Sequence, residues 1–252
     1  MRPSLSSGVA PFGVAKTTIR GLSSESVTSS VGVYINETPV TQNELDPDLK
    51  LFDVQRIEVL RGPQGTLYGE GSLGGTVRII TKAPDTSAFA ARVETGVSSY
   101  KNADDENYYI NAMLNAPVSD KLAVRAVAGY RSNGAWIDNL GPGDTENDER
   151  ALTGRIAAKL QATDAFAITA TYIYQDIELG DSRNITDPAL GDLQRFTRVD
   201  SSGEDRLDLG SITLDWDIGP ATLIWDNSWY EREQRTIGNN NETGGVQFFY
   251  SE

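Results

Sequence analysis

After residue 90, apolar and polar side chains alternate along the chain with a period of two, which is the pattern of β-strands. In one segment Tyr108, Ile110 and Leu114 fall on one face, while Asn111 and Asn115 fall on the other. Seven such segments follow one another, at residues 91–97, 108–116, 121–131, 152–161, 166–175, 207–218 and 221–229. This part of the chain is therefore predicted to consist mainly of β-strands.

The connections between these segments alternate between short and long. Short turns are predicted at Ser119-Asp120, Thr163-Asp164 and Gly219-Pro220, whereas polar stretches at residues 98–107, 132–149 and 176–205 separate the other segments. Outer-membrane barrels have short turns at the periplasmic rim and long loops at the outer rim. The pattern predicts an antiparallel series of strands with all three short turns at one rim.

An antiparallel sheet with one face in water would show the same alternation. Aromatic residues favour the membrane interpretation, because barrels place them in two girdles at the membrane surfaces. Tyr108, Tyr130, Tyr172 and Tyr174 lie near long connections, while Phe166 and Trp216 lie near short turns, and so the two sets suggest two girdles.

Composition narrows the possible functions. The chain has no Cys and no His, which excludes disulfides, a Ser-His-Asp triad and the common zinc sites. A net charge of -14 with no basic stripe argues against nucleic-acid binding. Acidic loops at residues 104–106 and 144–149 lack the spacing of a calcium loop and are interpreted as solvated, so we expect no metal site and no cofactor.

The first 84 residues have a different pattern, in which glycines and prolines separate short apolar runs. The runs lie at residues 31–35, 54–60 and 76–81, and each is bounded by turn residues. A small mixed sheet with tight turns is predicted here. Residues 47–52 are expected to form a short helix with Asp46 as its N-cap.

One stretch carries a specific family resemblance. Residues 51–82, LFDVQRIEVLRGPQGTLYGEGSLGGTVRIITK, closely resemble the plug signature of TonB-dependent receptors, and residues 18–21 (TIRG) and 31–36 (VGVYIN) resemble upstream elements of the same family. The resemblance covers about residues 17–84. It implies a mainly β fold, with a small α+β plug sheet followed by antiparallel transmembrane β-barrel strands, a partial barrel of about seven strands. Residues 1–84 would be the C-terminal part of the plug domain, and residues 85–252 the N-terminal part of the barrel.

The glycines of this stretch have a physical role of their own. Gly62-Pro63 and Gly65 are predicted to end the preceding strand, because Pro cannot donate a ladder hydrogen bond and Gly accepts positive φ. Gly69, Gly71, Gly74 and Gly75 would let the chain fold back into the next strand, and Gly21 belongs to the TIRG element. A phosphate-binding loop is excluded, because no Gly-Lys-Ser/Thr sequence follows to open a helix.

The resemblance also assigns two charged residues. Arginines of the plug that match Arg20 and Arg61 are implied to pair with glutamates on the barrel wall and so to lock plug to barrel. Buried arginines need such partners, since an unpaired buried charge is costly. We expect the partner glutamates to lie in strands outside this chain, and Arg56 to be a solvated strand residue.

By resemblance, the function is active uptake of a scarce ligand, such as a ferric siderophore, cobalamin or a glycan, across the outer membrane. The partners would be the TonB energy-transducing complex, the ligand and outer-membrane lipid, with no nucleic acid and no enzymatic reaction. Two alternatives remain open at this point: a passive outer-membrane porin or structural barrel, and a secreted β-sandwich enzyme that uses paired carboxylates.

The chain is expected to be only part of such a receptor. A plugged barrel of about 22 strands would need on the order of 450 residues after the plug. Residues 1–15 do not resemble a secretory signal, and nothing before residue 17 resembles a TonB-contacting segment. We therefore expect that this chain alone does not form a competent transporter.

Overall fold

A computed structural model describes most of the chain, namely residues 5–10, 14–19, 22–23, 31–41, 46–68, 72–100, 106–142, 147–180, 186–198, 200–240 and 245–251. The strands in the first 81 residues are β1 (Leu5–Ala10), β2 (Val14–Ile19), β3 (Leu22–Ser23), β4 (Val31–Ile35), β5 (Thr38–Pro39), β6 (Asp46–Pro47), β7 (Val54–Arg61) and β8 (Gly75–Thr81). The later strands are β9 (Ala90–Ser99), β10 (Glu106–Pro117), β11 (Leu122–Asn133), β12 (Asp138–Asn139), β13 (Glu149–Thr163), β14 (Phe166–Leu179), β15 (Gln194–Arg195), β16 (Ser202–Asp217), β17 (Thr222–Asn240) and β18 (Gly245–Ser251). Within the described residues the single helix, α1 (Gly65–Tyr68), is far too short to cross a membrane.

The N-terminal region contains two small sheets. One has the order β5-β4-β8-β7, in which β4 and β8 are parallel and the other pairs are antiparallel, and we call it the plug sheet. In the other, β1, β2 and β3 are neighbours and β6 pairs with β2. The three apolar runs of this region form β4, β7 and β8, so the predicted mixed sheet is confirmed.

The helix expected at residues 47–52 is absent, and that prediction is wrong. Asp46 and Pro47 instead pair with β2, and the residues that follow have no regular structure. The Asp46 carboxylate accepts hydrogen bonds from Thr17 N at 3.3 Å and Thr41 Oγ1 at 2.9 Å. The predicted N-cap side chain therefore serves a contact between distant segments, which overrides the local signal.

The C-terminal region forms one antiparallel sheet of eight strands in the order β9-β10-β11-β13-β14-β16-β17-β18, which we call the wall sheet. The seven predicted segments each form a strand, and β18 is an eighth that the alternation did not indicate. Consecutive strands are neighbours throughout, so the turns after β10, β13 and β16 lie at the same rim. Hydrogen bonds between adjacent turns, Gln161 N to Lys121 O at 2.7 Å and Asp217 N to Ala165 O at 2.8 Å, agree with this placement.

The wall sheet buries its polar face and exposes its apolar face. Ile156 is 52% exposed and Tyr172, its neighbour on β14, is 42% exposed. On the opposite face Arg125, Arg155 and Gln175 are buried. A sheet with one face in water would show the reverse, so the membrane interpretation accounts for the pattern and the soluble one does not.

Among the described residues, the larger of two buried apolar clusters lies between the plug sheet and the wall sheet. Three plug residues and three wall residues form one buried apolar cluster: Val33, Ile35, Val40, Ile173, Leu207 and Leu209. Because the plug covers the inner face here, a few apolar side chains occur on that face among the polar ones. The plug sheet is thus seated directly on the inner face of the wall.

Two long connections at the outer rim are joined to each other. The short strands β12 and β15 pair in parallel, with Asp138 N donating to Leu193 O at 2.9 Å and Leu140 N donating to Arg195 O at 2.8 Å. The described parts of the two connections are therefore joined by backbone hydrogen bonds.

Candidate functional site

The charged contact between the plug sheet and the wall sheet is built around Asp53. This residue directly precedes β7 and has a positive φ of 64°. Its carbonyl oxygen accepts a hydrogen bond from Lys82 N at 3.2 Å, so the backbone is tied to the residue that follows β8. Positive φ is uncommon outside glycine, but Asp and Asn tolerate it better than other residues.

The Asp53 carboxylate is shared between two arginines of the wall. Arg125 donates from Nε and Nη2, with both distances 2.6 Å, and Arg155 donates from Nη2 at 2.5 Å. The three side chains are only 4–7% exposed. A bidentate pair between an arginine and a carboxylate is among the strongest charge-assisted contacts, and burial removes most screening by water.

The wall strands place these arginines side by side. Arg125 on β11 is opposite Ala157 on β13 in the register, so Arg155 lies two residues along the same strand and on the same face. Two like charges at that spacing repel each other unless an anion lies between them. Asp53 supplies that anion, and the cluster of three side chains keeps a net charge of one positive unit.

A second contact involves the segment before Asp53. Lys50 N donates to Gln175 Oε1 at 2.9 Å, and Gln175 Nε2 donates to Asp48 O at 3.0 Å. Lys50 Nζ lies 2.8 Å from an Asp48 oxygen and 2.9 Å from Glu149 Oε2 on β13. Burial by itself lowers the pKa of Lys50, but the two carboxylates outweigh it, and the pKa is raised.

A third contact places Asp46 near a buried pair of the wall. Arg232 on β17 donates to Asp205 on β16 at 2.9 Å from Nε and 2.6 Å from Nη2. Burial raises the pKa of Asp46, against the opposing effects of Thr17, Thr41 and the positive charge of Arg232. Asp46, Lys50 and Asp53 are thus three charged plug residues that interact with charged side chains of the wall.

The residues predicted to lock the plug occupy other places. Arg20 lies outside the described residues. Arg61 is the last residue of β7, its side chain is exposed, and it forms no ion pair within the described part of the chain. Pairing of Arg20 and Arg61 with wall glutamates therefore remains a prediction. Arg56, expected to be solvated, is exposed and contacts Glu58 at 2.7 Å.

The glycines of the plug signature surround the turn between β7 and β8. Gly62 has φ 87°, its N–H donates to Gly74 O at 3.2 Å, and the exposed Pro63 follows it. Gly65 begins α1. Gly75 has φ 145°, and a Cβ there would lie 2.4 Å from Leu60 O. Gly21, Gly69 and Gly71 lie outside the described residues.

Sequence reasoning missed Asp53 and did not connect it to the two arginines. The alternation had placed Arg125 and Arg155 on the polar face of their strands, which the structure confirms. Charged residues within barrel strands, on the face turned to the barrel interior, are a signal that a partner covers them. The partner itself is not indicated, because it lies elsewhere in the chain.

Comparison with known proteins gives a family match for the first part of the chain and related receptors for a longer part. Residues 2–76 match the family model of the TonB-dependent Receptor Plug Domain. The pesticin receptor of Yersinia pestis is 33% identical over 150 residues, which cover 58% of this chain and 21% of that protein. The ferric enterobactin receptor PirA of Pseudomonas aeruginosa is 35% identical over 104 residues, which cover 41% of this chain and 14% of that protein. The chain thus spans about a fifth or less of the length of these curated relatives.

Solved structures share the fold. The ferric yersiniabactin uptake receptor FyuA from Yersinia pestis has a TM-score of 0.78 at 17% identity, covering 95% of this chain and 38% of that chain. The ferric citrate transporter FecA in its unliganded form has a TM-score of 0.77 at 16% identity, covering 95% and 37%.

A small mixed sheet seated on the polar face of an antiparallel wall defines the class of plugged outer-membrane barrels. Within that class, the plug match, the curated relatives and the solved structures all point to a fragment of a TonB-dependent outer-membrane receptor. The named relatives are receptors and not enzymes.

Proposed function

We propose that this chain is the plug and first wall section of a receptor that actively takes up a scarce ligand across the outer membrane. The observation that carries the proposal is the buried contact of Asp53 with Arg125 and Arg155. It joins the plug sheet to the wall by polar bonds on the side where a barrel would enclose its channel. A passive porin or structural barrel has no need for such an internal domain.

The contact suits a plug that must stay in place and then move. A wide barrel leaks unless an internal domain blocks it, and that domain must shift when a ligand passes. Buried ion pairs are costly to break one partner at a time but add little to stability compared with apolar packing. A plug held in part by such pairs stays specifically docked, and the pairs can be exchanged for water when a force moves the plug.

The names of the relatives support one ligand class. The pesticin receptor, the ferric enterobactin receptor PirA and the ferric aerobactin receptor all match this chain, and the last two names state a ferric siderophore. We therefore favour a ferric siderophore over cobalamin or a glycan. The partners proposed are the TonB complex, the siderophore and outer-membrane lipid, and the proposed location is the outer membrane.

The proposed domain division remains residues 1–84 for the plug and 85–252 for the wall. The plug sheet ends at Thr81 and the wall sheet begins at Ala90, which agrees with a boundary between them. Asn115 holds the connecting segment to the wall, since it donates to Asp85 O and Ala88 O, both at 2.8 Å, and accepts from Asp85 N at 3.0 Å.

The test is uptake by the full-length product of the gene that encodes this chain. The protein is expressed in a strain without its own siderophore receptors, with and without a working TonB, and radioactive iron uptake is measured with a panel of ferric siderophores. Uptake of one siderophore that requires TonB supports the proposal. Diffusion of small solutes that does not require TonB would favour the porin. A variant with the plug residues deleted serves as the control, because it should leak.

A further inference from the structure

A second polar feature of the chain is a cavity of about 670 Å³ at the short-turn rim. Its walls come from the segment after β8, from Gln55 on β7, and from wall residues on β10, β11 and β13. Asp120 and Lys121 belong to the turn between β10 and β11, which places the cavity at the rim of the short turns. The short-turn rim of an outer-membrane barrel faces the periplasm.

Four cations line this cavity: Lys82, Lys121, Lys159 and Arg125. Two carboxylates, those of Asp85 and Asp120, also line it. Among the described residues the three lysines form no ion pair, and the one hydrogen bond from their side-chain amines joins Lys121 Nζ to the Ala162 carbonyl oxygen at 3.4 Å. In a chain with a net charge of -14, unpaired lysines gathered in one cavity stand out against the carboxylate excess.

Arg125 adds a directed donor at the inner end of the cavity. Its Nε and Nη2 bind Asp53, but Nη1 makes only a long contact of 3.4 Å to Asn115 Oδ1. Asn115 in turn holds the connecting segment in place. The cavity therefore has one wall fixed by hydrogen bonds and one buried guanidinium with unused donor capacity.

Positive charge is also present behind the residues that line the cavity. The Asp53 cluster keeps one unit of positive charge, because Arg155 and Arg125 share a single carboxylate. Lys159 lies on the same wall face as Arg125, since Ala123 and Arg125 are opposite Lys159 and Ala157 in the register. Cations gathered in a cavity with low-dielectric walls focus a positive potential, which attracts anions.

We propose that this cavity binds a small, multivalent oxyanion of the phosphate or polycarboxylate class. Lysines supply point charges, and the guanidinium supplies a planar pair of donors that fits such oxygens. The anion is a soluble one and not a lipid headgroup, because Arg125 and Lys159 project from the inner face of the wall, opposite the exposed apolar face.

Inorganic pyrophosphate is the probe that tests this site. The chain is refolded in a nonionic detergent, its β-structure is checked by circular dichroism, and pyrophosphate is titrated at low ionic strength by calorimetry. We expect saturable binding to one site, weakened by added sodium chloride. The Lys121→Gln/Lys159→Gln double variant should bind at least about tenfold more weakly, since it loses two charge-assisted contacts.

The matched control removes the same charge elsewhere. Arg150 and Arg206 are more than half exposed and lie near the long-loop ends of β13 and β16, so R150Q/R206Q should bind within about twofold of the parent. Lys82→Gln, in the exposed connecting segment, provides a second variant if the double variant does not fold. Three results would overturn the site: no binding by the parent chain, equal weakening in the control, or binding only to vesicles of anionic phospholipid. None of these bears on uptake, so the proposed function is tested separately.

Discussion

Asp53 and Arg155 are 102 residues apart in the chain, yet their side chains meet at 2.5 Å with 5% and 4% of each exposed. The carboxylate belongs to the plug and the guanidinium to the wall. The family resemblance implied the opposite polarity for plug contacts, with arginines on the plug and glutamates on the wall. The two arrangements are compatible, because they involve different residues.

Replacement of Asp53 should loosen the plug. Asp53→Asn keeps the side-chain shape and tolerates the positive φ, so the change removes the charge and little else. Two buried arginines then lose their shared anion, and we expect a loss of about 3–5 kcal/mol in the free energy of unfolding. Denaturant titration of the refolded chain, followed by tryptophan fluorescence, measures it.

The control for that variant is Arg56→Gln, which removes a charge from the exposed pair with Glu58. Its effect should stay below about 1 kcal/mol. Equal effects of the two substitutions would show that the Asp53 cluster does not hold the plug.

The two wall arginines should contribute unequally to the free energy of unfolding. Arg125 makes two bonds to Asp53, whereas Arg155 makes one, and its Nε and Nη1 have no protein partner among the described residues. We expect Arg125→Met to cost about 3–5 kcal/mol of unfolding free energy. Arg155→Met should cost no more than about 2 kcal/mol, since it also removes a like charge and two unsatisfied donors.

Denaturant midpoints of both arginine variants, alone and combined with Asp53→Asn, give the coupling energies. A larger loss for the Arg155 variant than for the Arg125 variant would contradict the ranking.

Asp46 should make stability depend on pH in a particular direction. Its pKa is raised above the ordinary value of 3.8 by burial, so the folded chain binds this proton more tightly than the unfolded chain. The stabilisation that comes from this tighter proton binding is fully present below the ordinary pKa and is lost as the pH rises through the pKa of the folded state. Asp46→Asn has no such titration.

The measurement is the difference in unfolding free energy between Asp46→Asn and the parent, taken across the acidic range. The unfolding free energy of the variant minus that of the parent should increase as the pH rises and then become constant. A decrease would mean that Arg232 and the hydrogen bonds from Thr17 and Thr41 outweigh burial.

Gly75 should tolerate no side chain. Its φ of 145° is a conformation that residues with a Cβ rarely adopt, and a Cβ would approach Leu60 O to 2.4 Å. Gly75→Ala is expected to destabilise the chain by about 1–3 kcal/mol. Gly154→Ala is the matched control, because no heavy atom lies within 4 Å of the position a Cβ would take there. A similar loss at both positions would argue against local strain at Gly75.

Much of the fold could be predicted from local patterns. The runs that became β4, β7 and β8 were bounded by glycine, proline and polar residues, which end strands for steric and hydrogen-bonding reasons. Connection lengths placed the turns after β10, β13 and β16 at one rim. The helix predicted at residues 47–52 is absent because its signal was local, while Asp46 accepts a hydrogen bond from Thr17, which lies 29 residues earlier in the chain.

The residues of the site were only half predictable. Alternation assigned Arg125 and Arg155 to the polar face, since side chains in a strand point to opposite faces in turn. Their partner Asp53 precedes a strand of another sheet, and no spacing rule links it to residues 72 and 102 positions away. The match of Arg61 to a family motif drew attention to a residue whose side chain is exposed.

Local sequence patterns were enough to assign which residues share a face of each strand, where the turns occur and which family the plug resembles, because these properties depend on near neighbours along the chain. Those patterns did not show which face of the wall is covered. That became clear only from the packing of the plug sheet on the polar face, through Val33, Ile35 and Asp53. The reason is physical: alternation separates two faces equally well in water and in lipid, and only the packing of a distant segment shows which face is inside.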